Sequence, residues 1–566
     1  MFKGIGISSE FALSKAYVLE KEEINFEIQS ILSVEAELVR YNKALHIFTQ
    51  NTCALARSVW QSAGKKESMI LEGHIIMAEN PDIAIAVVSA IEGGKTAEAA
   101  LRAAYEAFAG IFESMEDEIM SQRAHDLRDI SRRLIEILAG KTSRDIRNIS
   151  EECVLICRDL TPSDISSMDK SKVKGIVTEV GGINSHSAII ARAMGMPMVL
   201  CEGITGNIKN GDMVAVNGIS GDIIVNPEGE QLQIFKKLMT EFDTNEKELV
   251  QFKDKPSITL DGHAVDILAN ISGLDDLDEV LENTAEGIGL FRSEFLFMNR
   301  DSAPDEEEQF EVYRKSVKSM EGRPVTIRTL DIGGDKNVPY LNMEKEENPF
   351  LGLRGIRLCL GNLEMFAVQL RALLRASFYG NIKIMLPMVS TLSELRQVKE
   401  LIERLKSELN TDGKPFNENI EIGIMIETSA ACMISDLLAK ECDFFSIGTN
   451  DLAQYIMAAD RGDKRVQYLY SVFDPAVIRS IHHVIKAGKA AGIGVGICGE
   501  GAADGIMIPF LIAAGVDELS MSASSILQVR KIICSLNKRE LEEKLEKILL
   551  LETKEEVFEY LKNLAI

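Results

Sequence analysis

Residues 420–451 read IEIGIMIETSAACMISDLLAKECDFFSIGTND, in which two short apolar runs flank a stretch of helical character. The first run ends at Glu427 and the second at Asn450 and Asp451, so polar side chains stand where each run stops. Short apolar runs bounded by polar residues and turn signals are typical of buried strands. The segment therefore predicts a strand–helix–strand unit with acidic side chains at the carboxyl ends of two strands.

The same unit repeats from residue 259 to residue 566. Its eight strand candidates are AVDILANI, EGIGLFRSE, VTIRTLDIGG, IKIMLPMV, IEIGIMIET, DFFSIGTND, IGVGICGE and DELSMSAS. Eight such units in about 280 residues match the size of a (β/α)8 TIM barrel, whose reactive groups lie at the carboxyl ends of the strands. An open, doubly wound sheet has the same periodicity, but polar residues at several strand ends favour the closed barrel.

Four arginines stand just beyond these strands or in the loops that follow: Arg292, Arg328, Arg354 and Arg461. Each of them could simply pair with a nearby carboxylate such as Glu294 or Asp331. Together they predict a substrate with several negative charges, because the guanidinium fork binds phosphate and carboxylate groups bidentately.

Glu427 and Asp451 end adjacent predicted strands, so their carboxylates could share one hard cation. Mg²⁺ fits this position because it prefers oxygen ligands, keeps several waters and uses substrate phosphates as further ligands. The alternative is that Asp451 caps the helix that begins LAQYIMAA.

Cys498 stands in GICGE, at the end of the seventh predicted strand. A free cysteine is usually a small buried residue. A position at a strand end beside glycines makes an acid or a nucleophile an equal alternative.

The first part of the chain has a different pattern. Residues 1–20 and about 150–225 contain short β-branched runs with glycine between them, whereas residues 34–138 have helical spacing. We expect an α/β domain (residues 1–20 and 146–228) that is interrupted by a helical bundle (residues 21–145). Residues 229–258 are charged and helical and read as a linker to the barrel at residues 259–566.

His186 lies in GGINSHSAIIARAMGMP, residues 181–197. A lone histidine is more often structural, and the other six are expected to be so or to lie on the surface. His186 differs because Gly181 and Gly182 allow a tight turn and SAIIARAM has helical spacing, which places the ring near a helix N-terminus. There the helix dipole favours the neutral, nucleophilic imidazole, and free N–H groups would stabilise an attached phosphoryl group. A metal site is less favoured, because no second histidine or cysteine stands at ligand spacing.

Composition narrows the class of protein. The 566 residues carry a formal charge of −25, which opposes binding to nucleic acid or to anionic lipid. No apolar run is long enough to span a bilayer, and the N-terminus lacks a signal-peptide core. The nine cysteines include no CxxC pair, so reduced thiols and a cytoplasmic location are expected.

GGINSHSAIIARAMGMP resembles the phosphohistidine motif of the phosphoenolpyruvate-utilising enzymes. EGIGLFRSEFLFMNR, TIRTLDIGGDK, NPFLGLRGIRL, GIMIETSAA, FFSIGTNDLAQY and GICGEGAA are similar to the substrate barrel of that superfamily. The N-terminal GIGISSEFALSKA, the helical insert and the chain length resemble the Enzyme I family of the bacterial sugar phosphotransferase system. Pyruvate phosphate dikinase and phosphoenolpyruvate synthase share these motifs, but this chain has no room for their ATP-grasp domain.

The resemblance implies a role for each matching residue. Phosphoenolpyruvate would be bound by Arg292, Arg328 and Arg461, with Arg354, Lys336 and Asn450 assisting, while Glu427 and Asp451 would hold Mg²⁺. His186 would accept the phosphoryl group, and Cys498 would protonate the enolpyruvate. The helical insert would dock HPr, the histidine phosphocarrier protein; the α/β domain would swivel between the two sites, and the barrel would form a homodimer.

Two departures from the family pattern bear on these roles. Asn184 stands where the family usually has threonine, and GEGAADG replaces the usual GEMAG after Cys498. Two alternatives stay open: a paralogous phosphotransferase that serves a dedicated regulatory or sugar-specific carrier, and a non-catalytic phosphoenolpyruvate sensor. The complete set of motif residues argues against the sensor.

Overall fold

The chain divides into two compact units, Met1–Asn245 and Glu246–Ile566, in the computed structural model. The structure describes residues 1–565 apart from 9, 20–25, 64, 115–117, 141–148, 150, 161–163, 166–167, 170, 182–185, 299, 334–337, 342, 345 and 464.

The first unit is built on an eight-stranded mixed sheet. Its strands are β1 (Phe2–Lys3), β2 (Ile5–Gly6), β3 (Phe11–Val18), β4 (Cys153–Cys157), β5 (Val173–Thr178), β6 (Met198–Leu200), β7 (Met213–Asn217) and β8 (Asp222–Val225). The order across the sheet is β1-β8-β7-β3-β4-β5-β6-β2, with β3 to β6 parallel and the remaining pairs antiparallel. The strands before and after the helical segment share one sheet, so the predicted α/β fold with a helical insert is confirmed.

Five helices form the insert and share an apolar core of their own. They are α1 (Val34–Ala63), α2 (Lys65–Ala78), α3 (Pro81–Glu92), α4 (Ala97–Glu113) and α5 (Glu118–Leu138). Asn80 ends the turn before α3 and accepts the N–H groups of Asp82 and Ile83, while Pro81 takes the first helical position, where no N–H is needed. The proline therefore starts a helix in this bundle.

A search of the described residues for membrane spans finds no single helix of sufficient length and apolarity. The consecutive helices Ser68–Ala78 and Pro81–Glu92 satisfy the length and composition test only when they are joined across a 46° bend.

Two more helices complete the chain before the barrel. Helix α6 (His186–Ala193) follows β5, and the buried Ser187 hydroxyl at its start donates to the carbonyl oxygen of Leu160 at 2.7 Å. Helix α7 (Gly229–Val250) spans the boundary between the two units.

The second unit is a closed parallel barrel of eight strands. They are β9 (Asp266–Ile271), β10 (Ile288–Arg292), β11 (Val325–Arg328), β12 (Ile382–Leu386), β13 (Glu421–Ile426), β14 (Phe444–Gly448), β15 (Gly494–Cys498) and β16 (Glu518–Met521). Each strand pairs with the next along the chain, and β16 pairs with β9. All eight predicted strands are present, and the closed barrel is confirmed over the open sheet.

Helices cover the outside of this barrel. They are α8 (Leu277–Glu282), α9 (Glu306–Ser319), α10 (Ile356–Gly361), α11 (Leu363–Ser377), α12 (Leu392–Thr411), α13 (Ser429–Met433), α14 (Ser435–Leu438), α15 (Thr449–Met457), α16 (Pro475–Ala491), α17 (Glu500–Ala503), α18 (Ile508–Ala514), α19 (Ile526–Ser535), α20 (Lys538–Leu550) and α21 (Lys554–Lys562). The large core between helices and strands is apolar, and a second, small cluster of Leu290, Met385, Met425, Phe444 and Cys498 is separate from it. This arrangement leaves the carboxyl ends of all eight strands on one rim.

Glu518 begins β16 and carries a partly buried carboxyl group near the amino ends of the strands. A Cβ atom at Gly289 or Gly496 would lie 2.8 or 3.2 Å from its Oε1 atom, so the two glycines make room for the carboxyl group. Burial raises the pKa of Glu518 to about 7, although the charge of Lys383 opposes the rise.

We expect Glu518→Gln to stabilise the barrel increasingly as the pH rises. The carboxyl has a pKa of about 7 in the folded chain against 4.5 ordinarily, so the unfolded chain loses this proton first and wild-type stability falls across that window. The advantage of the variant should grow by about 2 kcal/mol between pH 5.5 and pH 8, as calorimetric melting would show. The exposed Glu418→Gln is the control, and an advantage equal at both pH values would contradict the assignment.

Candidate active site

Arg328 is the buried cation at the centre of the barrel rim. It ends β11 with 7% of its surface exposed, and its Nη2 atom donates to Oε1 of Glu294 at 2.5 Å. Its Nη1 atom lies 3.3 Å from Oδ2 of Asp331. Burial lowers the pKa of Arg328, but these two carboxylates outweigh burial and raise it above the ordinary value. The guanidinium is therefore charged and fixed in place.

Arg354 extends this network to the next acid. Its Nη2 atom lies 3.0 Å from Oδ2 of Asp331 and 3.5 Å from Oδ2 of Asp451, and 6% of the residue is exposed. Asp331 thus lies between two buried arginines, and Arg354 links the exits of β11 and β14. The alternative was that each arginine pairs with one carboxylate. Arg328 and Arg354 instead each contact two carboxylates and share Asp331.

Glu427 follows β13 and is 1% exposed. Burial raises the pKa of Glu427 above its ordinary value, and the neighbouring carboxylates of Asp451 and Asp331 add to the rise. Its Oε1 atom accepts the backbone N–H of Met388 at 2.6 Å, and Met388 has a φ of +56°. A left-handed backbone at a residue with a side chain is strained, so the surrounding structure holds this N–H on the carboxylate.

Asp451 lies inside the first turn of α15, which begins two residues earlier at Thr449. The capping alternative is wrong, because Gly448 takes the N-cap position and no side chain caps the helix. The Oδ1 atom of Asp451 is buried without a hydrogen-bond partner in the described part of the chain, and Nη2 of Arg461 lies 4.0 Å away. One carboxylate oxygen here is left available for a ligand.

Two arginines of the array are accessible. Arg292 ends β10 with an exposed side chain, and no carboxylate of the described chain lies within ion-pair distance of it. The Arg461 side chain is 40% exposed. Asn450 follows β14, next to Asp451 in sequence, and its Oδ1 atom accepts the Thr449 hydroxyl at 3.5 Å.

Cys498 ends β15 and is 2% exposed. Its Sγ atom donates to the carbonyl oxygen of Ile447 at 3.6 Å. Burial raises the pKa of the thiol to about 11, and its charged neighbours include Glu427, Arg328 and Arg292. The thiol therefore keeps its proton at neutral pH and lies among the charged groups of the rim.

The structure brings together seven of the predicted site residues: Arg292, Arg328, Arg354, Glu427, Asp451, Arg461 and Cys498. Lys336 and Asn184 lie outside the described residues. His186 is the first residue of α6, in the other unit, and its side chain is not among those described.

Comparisons with known proteins agree along the whole chain. Models of the PEP-utilising enzyme family match in three parts: the N-terminal domain over residues 3–123, the mobile domain over residues 149–221 and the PEP-binding domain over residues 246–538. A phosphoenolpyruvate-protein phosphotransferase of Priestia megaterium is 44% identical over 563 residues, which cover 99% of this chain and 98% of the relative. The chain belongs to the PEP-utilising enzyme family.

Another relative matches this chain with similar identity and coverage. The phosphoenolpyruvate-protein phosphotransferase of Bacillus subtilis (strain 168) is 43% identical over 563 residues and is covered to 99%, as is this chain. An NMR structure of an Enzyme I protein is 35% identical, covers 43% of this chain and all of its own, and has a TM-score of 0.38. The resemblance predicted from the sequence motifs is confirmed.

The sequence motifs do not reveal what positions Arg328. Gln369 is 1% exposed on α11; its Nε2 atom donates to the hydroxyls of Ser293 at 3.0 Å and Tyr313 at 3.2 Å, and its Oε1 atom accepts the N–H of Leu330 at 3.0 Å. The Ser293 hydroxyl in turn donates to the carbonyl oxygen of Arg328 at 2.8 Å. One amide thus holds the backbone at the carbonyl group of Arg328 and two residues beyond it, and its only sequence signal is a glutamine within an apolar helix face.

We expect Gln369→Leu to destabilise the barrel by about 2–4 kcal/mol, because it leaves buried donors and acceptors without partners. Calorimetric melting of the full chain measures the effect. Gln397→Leu is the matched control, since Gln397 is exposed on α12 and its side chain bonds to no described residue except Ser393. Equal effects of the two substitutions would show that the Gln369 network contributes nothing beyond helix packing.

Proposed function

We propose that this chain is a phosphoenolpyruvate-protein phosphotransferase. It transfers the phosphoryl group of phosphoenolpyruvate to His186 and then to a histidine of HPr, and it releases pyruvate as the first step of sugar uptake by the phosphotransferase system. The observation that carries the proposal is the array of arginines and carboxylates on the barrel rim, in a chain that matches phosphotransferases over nearly its full length.

The rim suits a small, highly charged anion. The rim holds four arginines (Arg292, Arg328, Arg354 and Arg461) and four carboxyl groups (Glu294, Asp331, Glu427 and Asp451), so the formal charges nearly cancel. Arg292, Arg328 and Arg461 would bind the phosphate and carboxylate groups of phosphoenolpyruvate bidentately. Arg354, Lys336 and Asn450 would assist. The two exposed arginines can turn toward a ligand without breaking a close ion pair.

Glu427 and Asp451 are the residues that would hold Mg²⁺. The donor set fits: both are carboxylates, one is almost wholly buried, and the buried Oδ1 atom of Asp451 accepts no hydrogen bond from the described residues. Two protein carboxylates suffice, because this ion keeps waters and takes further ligands from substrate phosphates. When bound, the ion would supply positive charge that offsets the charge on the transferring phosphoryl group.

His186 is the proposed acceptor of the phosphoryl group. It begins α6, so the backbone N–H groups of the first turn carry the positive end of the helix dipole. This end favours the neutral imidazole as nucleophile and stabilises the phosphoryl group after transfer. The hydrogen bond of Ser187 to Leu160 fixes the start of the helix, so the backbone that carries His186 is held in place.

Cys498 is the proposed acid that protonates the methylene carbon of the enolpyruvate. Its raised pKa keeps the thiol protonated at neutral pH until a strong base is formed beside it. Phosphoryl transfer and carbon protonation then use different groups, so substitutions should separate them.

The remaining assignments concern domains and partners. We assign residues 1–20 and 146–228 to the phosphohistidine domain, 21–145 to HPr docking, 229–258 to the linker and 259–566 to the barrel. Exposed apolar side chains on α2 and α3, among them Met69, Ile76 and Ile85, support protein docking on the insert. Because His186 must meet substrate and carrier in turn, the phosphohistidine domain swivels about the linker.

We further propose a homodimer through the barrel and a cytoplasmic location.

The labelling of His186 tests this function. Incubation with phosphoenolpyruvate that carries radioactive phosphate should label the chain in the presence of Mg²⁺, and the label should be stable to base and labile to acid. His186→Ala should still bind phosphoenolpyruvate and take up no label, because the nucleophile is absent. His125→Ala, on the helical insert, is the control and should label normally. Labelling that persists in His186→Ala would place the acceptor elsewhere.

Transfer from the labelled chain identifies the carrier. We expect label to pass to HPr added in excess. Transfer only to a dedicated carrier would favour the paralogous phosphotransferase, and label that no carrier accepts would contradict the proposed second step.

A further inference from the structure

Ser446 lies beside the proposed acid on the neighbouring strand. In the parallel register of β14 and β15, Gly448 is opposite Cys498 and Ser446 is opposite Gly496. Opposed residues of parallel strands face the same side of a sheet, and side chains alternate along each strand. Ser446 and Cys498 therefore project to the same side, which is the barrel interior lined by the cluster of Leu290, Met385 and Met425.

The Ser446 hydroxyl is buried and makes no hydrogen bond of normal geometry with the described residues. The residue is 3% exposed. Leaving a buried hydroxyl unpaired costs about 1–3 kcal/mol, so a native structure that retains one calls for a physical reason. Alanine would fill nearly the same space without this cost.

The Cys498 thiol contacts the backbone next to this hydroxyl. Its Sγ atom bonds to the carbonyl oxygen of Ile447, the residue that follows Ser446. The thiol packs with the apolar side chains of this cluster, and burial raises the pKa of Cys498, whereas the proximity of the Ser446 hydroxyl lowers it. The charged groups that face the thiol are Glu427, which opposes ionisation, and Arg328 and Arg292, which favour it.

We propose that Ser446 is a positioning residue for the proton donor: its hydroxyl donates a hydrogen bond to the Cys498 thiolate that forms when the proton leaves. The inference rests on the proposed function, because it assumes that Cys498 is the acid.

The protonation step needs only the enolate, the Cys498 thiol and water. After phosphoryl transfer, the enolate of pyruvate has excess electron density on its methylene carbon. That electron pair forms the new C–H bond as the S–H bond of Cys498 breaks, and the S–H electron pair stays on sulfur. Pyruvate and a thiolate result, and the thiolate regains a proton from water before the next turnover.

Ser446 acts on the thiolate and hardly on the thiol. A neutral thiol is a weak hydrogen-bond acceptor, whereas hydrogen bonds to an ionised acceptor are about twice as strong as neutral ones. The interaction therefore strengthens as charge develops on sulfur, and an interaction of this kind lowers a reaction barrier. Without it, proton transfer should slow by about ten- to a hundredfold while substrate affinity stays unchanged.

The test uses the full chain with Ser446→Ala and two comparison variants. Ser435→Ala is the matched control, because Ser435 is also buried and its Oγ atom has no hydrogen-bond partner among the described residues, but it lies on the outer helix α14. Cys498→Ser removes the proposed acid itself. Pyruvate formation is measured in water and in deuterium oxide, and exchange of the phosphoryl group between phosphorylated HPr and His186 is measured separately.

We expect four results for Ser446→Ala. Its kcat for pyruvate formation should fall about ten- to a hundredfold, its KM for phosphoenolpyruvate should change by less than about twofold, and exchange with phosphorylated HPr should be unchanged. The solvent deuterium isotope effect on kcat should increase, because proton transfer becomes the slowest step. A merely structural role would not move the isotope effect, and Ser435→Ala should behave as wild type.

Other outcomes overturn the proposal in distinguishable ways. If Cys498→Ser abolishes pyruvate formation but Ser446→Ala retains the wild-type kcat and isotope effect, Ser446 has no such role and the proposed function stands. If Cys498→Ser forms pyruvate at the wild-type rate, Cys498 is not the acid and both assignments fail. Equal losses in Ser435→Ala and Ser446→Ala would reduce the effect to barrel packing.

Discussion

The rim of the barrel depends on the ion pairs of Arg328, which lie almost entirely out of water. A buried guanidinium is tolerated only where carboxylates compensate it, and Glu294 and Asp331 do so at 2.5 and 3.3 Å. Asp331 also forms an ion pair with Arg354, and Arg354 forms a second ion pair with Asp451. These ion pairs thus connect the exits of β10, β11 and β14, and the closed barrel brings these strand ends within range.

Near-neutrality of this array explains how one site can accept both a cation and an anion. A divalent ion placed on Glu427 and Asp451 would leave the rim positive, and a ligand that carries both a phosphate and a carboxylate group would then restore the balance. Two features fit this account because each costs stability: the left-handed backbone of Met388, and the buried Oδ1 atom of Asp451, which accepts no hydrogen bond from the described residues. The apolar cluster around Cys498 lies next to the charged groups, so the proposed proton transfer would take place away from bulk water.

Sequence patterns predicted the fold more fully than the site. All eight barrel strands were readable, because buried parallel strands are continuous apolar runs and glycines or polar residues end them. Polar residues at strand ends also identified Arg328, Glu427 and Asp451. The capping role for Asp451 was wrong because helix α15 begins at Thr449, and boundaries of this kind depend on tertiary contacts. Gln369, Met388 and Ser446 were missed, since a core hydrogen bond, a left-handed backbone and an unpaired hydroxyl have no local signature.

The most direct test of the central claim is calorimetric titration of the His186→Ala chain with phosphoenolpyruvate in the presence of Mg²⁺. Further substitution of Arg292 or Arg461 by alanine should weaken binding at least tenfold, because both arginines are accessible to the ligand. Substitution of Arg465 should not, since this exposed arginine stands four residues beyond Arg461 and, within the described part of the chain, forms an ion pair with Asp463 alone. Unchanged affinity in the Arg292 and Arg461 variants would contradict the assignment of the rim as the phosphoenolpyruvate site.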